Sequence, residues 1–283
     1  MRELLQNIIK ENLNLDITQV EVELQKDGLT NKNYVIAQGG NNKYVVRITN
    51  DNSEGLGIRR EAELKAMLVA AKLGIGAKLL YYSIEQGYMI TEYIEGNKWT
   101  DKEMKLPINI ERIANLIKKV HNNIKISYKF SPYRDIEDRI RFARENHLDL
   151  PDNIEELLLK LHEIERDRDL IKSKVTGLCH NDPFSNNYID DGTLRLIDWE
   201  YAGMGDIYFD LSCICMDYSE TERDLFLTAY FGVCDEEKIA SINQMTYVGY
   251  FWNAMWAVVQ SRLQDVEHDY KGIAGYLFSR LSL

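Results

Sequence analysis

The chain is short of positive charge, of paired cysteines and of long apolar runs, and each shortage closes off a class of function. Among 283 residues, 34 Lys and Arg face 45 Asp and Glu, a net charge of −11. That surplus disfavours nucleic acid and anionic membrane as partners and attracts cationic small molecules. No apolar run reaches the length of a bilayer span. The first residues, MRELLQNIIKENLNL, hold neither an unbroken apolar core nor a small-residue cleavage site, so no signal peptide is read there. The four cysteines, Cys179, Cys213, Cys215 and Cys234, lie in apolar surroundings without C-x-x-C spacing. Reduced, buried thiols of a cytoplasmic protein are therefore expected, rather than a zinc site or disulfides. The sequence has no G-x-G-x-x-G motif, no internal repeat and no low-complexity tract. Its length suits one large domain or two lobes with a substantial core.

What the chain does have is gathered between Val175 and Leu211, VTGLCHNDPFSNNYIDDGTLRLIDWEYAGMGDIYFDL. This reads as strand, polar loop, strand, turn, strand, then a loop rich in Gly, Tyr and Asp. Asp190-Asp191-Gly192 between two apolar runs is a hairpin signal. The cluster His180-x-Asp182-x-x-x-x-Asn187 therefore emerges beside Asp198, at the ends of neighbouring strands. Phosphoryl transfer needs a carboxylate to orient and deprotonate a hydroxyl, and oxygen ligands to hold Mg²⁺ on nucleotide phosphates. In kinases an H-x-D-x4-N loop and an Asp on the next hairpin supply them. Asp182 is the candidate base. Asn187 and Asp198 are the candidate metal ligands, a neutral carbonyl oxygen and a carboxylate, both hard donors suited to Mg²⁺. The competing reading is a surface loop of turn-forming Asn, Asp and Ser; the placement of Asp198 weighs against it.

HNDPFSNNYI resembles the catalytic loop of the choline/ethanolamine kinase family, and LIDWEYAGMGDIYFDLS resembles its metal-binding segment, where an Asp is followed by aromatic, Glu, Tyr and later Phe-Asp. The family lies within the aminoglycoside phosphotransferase and protein-kinase-like superfamily. Bacterial members that feed choline into surface decoration share the pattern. The resemblance implies a bilobal α+β fold, with a five-stranded antiparallel sheet in an N-lobe (about residues 1–95) over a mainly helical C-lobe (about 96–283). It implies ATP and Mg²⁺ between the lobes and a small cationic alcohol, choline first, as phosphoryl acceptor. Ethanolamine, thiamine or an aminoglycoside on the same fold stays open. A non-catalytic nucleotide-binding protein is the alternative of another class, and intact Asp182, Asn187 and Asp198 argue against it.

The first hundred residues read as a helix over 2–13, then strands near 20–24, 34–37 and 44–48, a helix Ile58–Leu73, and strands 79–83 and 88–93. The polar loop 28–33 lies where kinases keep a phosphate lid, and the family has a polar G-x-[ST]-N loop there. Thr30, Asn31 and Asn33 are its candidate phosphate donors; a plain hairpin turn is the alternative. Arg47, in the third strand, stands where the family uses an Arg for phosphate. Glu63 is its expected partner, aligned to the family's helix glutamate by counting back from Gly74, with Glu61 as the alternative. The segment 91–96 resembles the interlobe linker that binds adenine through backbone groups, here Glu92 and Ile94.

Helical patterns follow at 107–121, 135–147, 153–171, 221–231, 235–265 and 270–281. His121 is read as a packing residue. In the family, a Trp-rich helix ending in Gln helps build an aromatic box for the quaternary ammonium, and YVGYFWNAMWAVVQSR resembles it. Trp256, four residues before Gln260, matches one box Trp. The other falls at Asn253, with Trp252 one residue earlier. Trp256, Trp252, Tyr218 and Trp199 are thus candidate cage walls, and Glu200 a candidate counter-charge. A core helix is the alternative for this aromatic segment.

Overall fold

Alternating apolar residues in the first hundred positions form one antiparallel sheet. In this computed structural model the described residues are 2–13, 15–25, 31–40, 42–49, 55–123, 125–170, 175–263 and 268–281. The strands are β1 (Val20–Gln25), β2 (Asn31–Gln38), β3 (Asn42–Thr49), β4 (Leu79–Ser83) and β5 (Tyr88–Glu92), in the order β1-β2-β3-β5-β4. The period of two sorts the side chains. Tyr34, Ile36, Val46, Tyr88 and Ile90 bury one face under helix α1 (Arg2–Asn12), which supplies Leu5, Ile8 and Ile9. The register pairs Asn33 with Arg47 and Arg47 with Met89, so these project from the other face, into a cleft. Helix α2 (Arg60–Lys72) crosses near the sheet and buries the small residues Ala62, Ala66 and Ala70 beside Glu63.

The rest is a helical body. Strand β6 (Asn97–Lys98) leads into α3 (Asp101–Met104), α4 (Pro107–Asn123), α5 (Pro132–Glu145) and α6 (Ile154–Leu170). The stretch 175–211 supplies β7 (Thr176–Cys179), β8 (Tyr188–Asp190), β9 (Leu194–Leu196) and β10 (Gly203–Asp206). Strand β7 pairs with β10, and the β8–β9 hairpin carries β6 on its edge. Helices α7 (Tyr208–Cys215), α8 (Glu220–Phe231), α9 (Glu236–Gln260) and α10 (Tyr270–Ser279) complete the chain. Packed against α5, α7 and α10, α9 is buried along most of its second half. A helix covered on all sides shows no amphipathic stripe. Among the described residues, no helix is long and apolar enough to cross a membrane.

The expected elements are present with shifted ends, and two readings need correction. The segment expected as a Gly/Tyr/Asp-rich loop is β10 followed by α7. Gly203 lets β10 run against Phe130, since a Cβ there would stand 2.6 Å from the Phe130 Cβ. All eight residues of α7 are buried, so it has no polar face to announce a helix. The helix expected to run to 265 stops at Gln260 in a 3-10 turn, Ser261–Leu263.

Candidate active site

The loop after β7 is held from behind by one buried carboxylate. Asp210 of α7 accepts the backbone N–H of His180 and of Asn181, each at 2.7 Å, and lies 3.0 Å from His121 Nε2. Asn181 adopts φ +67°, a left-handed conformation that Asn tolerates better than most residues. Its side-chain amide is fixed on the Tyr201 carbonyl at 2.7 Å. His180 Nε2 is 2.9 Å from the Ile197 carbonyl. Burial holds the His180 ring below its ordinary pKa, so it is the neutral imidazole that donates here. These bonds fix the course of the chain into Asp182.

Asp182, Asn187 and Asp198 meet in the cleft. Asn187 Nδ2 donates to the Asp182 carboxylate at 2.9 Å and to its backbone carbonyl at 2.8 Å. That orients the Asn187 amide with its nitrogen committed. Asp198 sits at φ +65° with its side chain 37% exposed toward the cleft. Burial, then the Asp198 carboxylate, pushes the Asp182 carboxyl well above the ordinary range. Two carboxylates and an amide oxygen with this mutual repulsion are a donor set that fits a hard divalent cation.

Across the cleft stands the cation of β3. Arg47, 3% exposed, pairs with Glu63 through Nη2 and with Asp198 through Nη1 at 3.3 Å. Glu63 also accepts Arg60 Nη1 at 3.0 Å and the Tyr82 hydroxyl at 2.7 Å. Burial alone would raise the Glu63 carboxyl; Arg47 and Arg60 more than offset it and hold it below its ordinary value. Arg60 reaches on to Glu200 at 3.3 Å, whose Oε2 also accepts Asn31 Nδ2 at 2.9 Å. Burial first, then the Asp198 carboxylate, pushes Glu200 up to about 7.

These groups line one cavity of about 440 Å³ between sheet and helical body. At the sheet end, Val35, Val45, Met89 and Ile94 make an apolar wall. The N–H groups of Glu92 and Tyr93 are taken by the carbonyls of Lys78 and Lys43. Elsewhere on the wall stand Tyr201, Trp252, Asn253 and Trp256, with Trp199 beside Asp198. Trp256 Nε1 donates to the Tyr201 hydroxyl at 3.1 Å.

The structure thus gathers Asp182, Asn187, Asp198, Arg47, Asn31, Asn33, Glu92, Ile94, Trp199, Glu200, Trp252 and Trp256 around one space, with Glu63 directly behind Arg47. Thr30 lies outside the described residues. Four expectations change. Tyr218 is absent from the cavity wall; its hydroxyl donates to the Met104 carbonyl at 2.8 Å. Glu200 is bonded to Arg60 and Asn31, so it belongs to the Arg47 end rather than beside the aromatic residues. Trp199 is 2% exposed and braces His180 edge-to-face at 4.7 Å. The ring of Trp252 is covered by the Arg139 guanidinium, 4.0 Å from its centroid, so that face meets a cation already. Sequence reasoning missed Arg60, Arg139, Tyr201 and the anchoring role of Asp210. Tyr201 and Asp210 carried a local signal, as the Tyr and the Phe-Asp of the segment that resembles the family's metal-binding stretch.

A model of the choline/ethanolamine kinase family matches residues 22–248. Ethanolamine kinase 1 of Mus musculus is 26% identical, over 94% of this chain and 84% of that protein. Among solved structures, choline kinase LicA from Streptococcus pneumoniae superposes with a TM-score of 0.80 at 24% identity, over 98% of this chain and 99% of the other. The ADP-bound aminoglycoside phosphotransferase APH(2'')-Ib gives 0.65 at 20% identity, over 97% and 96%. The two superpositions show a shared protein-kinase-like fold.

Proposed function

From the premise that this chain belongs to the choline/ethanolamine kinase family, we propose that it transfers the terminal phosphoryl group of ATP to the hydroxyl of a small cationic amino alcohol. The observation that carries this reading is the convergence of Asp182, Asn187 and Asp198 on one cleft wall, opposite Arg47. Asp182 orients the acceptor hydroxyl and takes its proton; burial and Asp198 make it more basic than an exposed carboxylate. Arg47, held by Glu63, balances phosphate charge with a permanent cation. Asn31 and Asn33 line the same end and would donate to phosphate oxygens. Asn187 and Asp198 would hold Mg²⁺, which when bound neutralises charge on the phosphate oxygens. The apolar wall and the backbone at Glu92 and Ile94 would take adenine. In this reading the nucleotide lies between an N-lobe, about residues 1–95, and a C-lobe, about 96–283. The reaction is placed in the cytoplasm, where ATP is abundant.

Both amino alcohols of the family are candidate acceptors. The half-exposed Trp256 supports a cationic head group at the aromatic end. The test is acceptor-dependent ADP release by the purified protein with ATP and Mg²⁺, using choline, ethanolamine, thiamine and an aminoglycoside. Turnover with choline or ethanolamine is expected, and its loss in Asp198→Ala. Nucleotide binding without any acceptor-dependent ADP would favour a non-catalytic nucleotide-binding protein.

A further inference from the structure

Helix α9 gives Trp252, Asn253 and Trp256 to the cavity wall, and two of the three keep exposed surface. From Val248 to Gln260 every residue is buried except Asn253 and Trp256, and both line the cavity. Spaced i and i+3, they lie side by side on one helix face. Trp256 is oriented by its bond to the Tyr201 hydroxyl. Trp252, the other Trp of α9, packs edge-to-face with Tyr201 at 5.0 Å and carries the Arg139 guanidinium on its ring. Arg139 also lies over the Tyr201 ring, 5.8 Å from its centroid, so the aromatic face left for a ligand cation is that of Trp256, with the Tyr201 hydroxyl beside it. Beside Trp256 on the same helix stands a primary amide. Asn253 Nδ2 donates one of its hydrogens back to the Gly249 carbonyl at 2.9 Å, and Oδ1 accepts no bond among the described residues, so it offers the cleft an acceptor.

We propose that Asn253 makes this pocket selective for an amino alcohol whose nitrogen bears N–H groups, over one whose nitrogen is fully methylated. The inference rests on the kinase reading above and names the acceptor class of that same site. A protonated primary amine donates to Asn253 Oδ1 and has the Tyr201 hydroxyl oxygen as a second acceptor, while Trp256 covers its charge. A quaternary ammonium has no N–H to donate. It relies on aromatic faces alone and strips Oδ1 of water without replacing the bond. A site built around a hydrogen bond discriminates strongly against the analogue that cannot make it.

The experiment measures kcat/KM for ethanolamine, its N-methyl and N,N-dimethyl derivatives and choline, in the parent protein and in Asn253→Leu and Asn253→Asp. Thermal melting and the KM for ATP are followed alongside. The parent is expected to favour ethanolamine over choline by roughly 10-fold or more, with the largest step on losing the last N–H. Asn253→Leu is expected to lower kcat/KM for ethanolamine by ~10- to 100-fold, mostly through KM, and to collapse the preference. Asn253→Asp also loses the bond to the Gly249 carbonyl but keeps an acceptor oxygen, so it should retain the preference. A parent that favours choline, or Leu and Asp variants that lose the preference alike, overturns the proposal and leaves the kinase reading standing. No turnover of any of the four alcohols overturns both.

Discussion

Replacing Arg139 by Met removes a buried cation that takes no part in the chemistry, and its partners set the size of the effect. Arg139 has no exposed surface. Its Nη1 donates to the Trp252 carbonyl at 3.0 Å and its Nη2 to the Leu56 carbonyl at 2.9 Å, and it pairs with Asp135 at 2.9 Å. Leu56 belongs to the segment leading into α2, and Gly57 next to it fits only without a side chain. At φ +76°, a Cβ there would stand 2.2 Å from an Asp135 carboxylate oxygen. One guanidinium therefore joins the approach to the Glu63 helix with the helix that carries Asn253 and Trp256. Met keeps the apolar stem but ends at the level of Nε, so the loss is of the guanidinium itself, its bonds and the space it fills. Two carbonyls lose charged donors and Asp135 loses its counter-ion, which together cost about 3–5 kcal/mol. That is a large share of the roughly 5–15 kcal/mol that holds a domain folded.

The pH dependence carries the same logic. Burial raises the Asp135 carboxyl above its ordinary 3.8, and Arg139 opposes the rise. A carboxyl with a raised folded-state pKa gives stability at low pH that is lost as pH climbs through that pKa. Without Arg139 the rise is larger, so the gap between parent and variant should widen from about pH 5 to about pH 7.5. Urea unfolding at both pH values measures it through the midpoint at constant slope. A loss below about 1 kcal/mol, or a gap that narrows as pH rises, would show that water replaces Arg139 and refute the reasoning. Catalytically, the KM for ATP and for the acceptor should both change in this variant, because both sides of the cleft lose a support.

Asp182→Asn keeps the bond pattern but cannot accept a proton, so kcat should fall roughly 10²- to 10⁴-fold with ATP affinity little changed; loss of ATP binding with normal kcat would assign Asp182 another role. Asp210→Asn offers one oxygen where the His180 and Asn181 N–H groups now each find one. Its melting temperature and kcat should fall together, by about 1–3 kcal/mol in stability. Trp256→Leu keeps apolar bulk but deletes the indole face and the bond to Tyr201; the acceptor KM should rise about tenfold, and an unchanged acceptor KM with a lower melting temperature would make Trp256 a packing residue.

The frame of the candidate site was legible in the sequence because it is local. The turn at Asp190–Gly192 sets Asn187 and Asp198 on neighbouring strand ends, and the backbone bond from Ile197 N–H to the Asn187 carbonyl closes that approach. Arg47 followed from strand alternation and Glu63 from a count along one helix. The supports were not legible, because their partners lie far away in sequence. Arg139 reads like its helix mates Arg134, Arg141 and Arg144, which are exposed; only the approach of Leu56 and Trp252, 83 and 113 residues away, makes it a hub. Arg60 finds Glu200 across 140 residues. Helix α7 has no polar face, and although its one acid, Asp210, belongs to a segment that resembles the family's, its role as an anchor shows only when the His180 loop closes on it.

The acceptor end was hidden for a related reason, and the reason bears on how selectivity is built. An aromatic run in a helix buried on nearly every side gives no period from which to tell walls from packing. Trp252 and Trp256 both line the cavity, yet Arg139 covers a face of Trp252, and only Trp256 of the two keeps exposed surface. The groups that would perform the transfer hang on β3, the β8–β9 hairpin and the loop after β7, and Asp210 anchors that loop from behind. Asn253, in contrast, is bonded among the described residues only within its own helix, to the Gly249 carbonyl. A change at position 253 therefore alters what this part of the wall can bind without loosening Asp182, Asn187, Asp198 or Arg47. Acceptor choice and phosphoryl transfer are mechanically separable in this fold, and exchanging one side chain on α9 is the change that should shift the first while sparing the second.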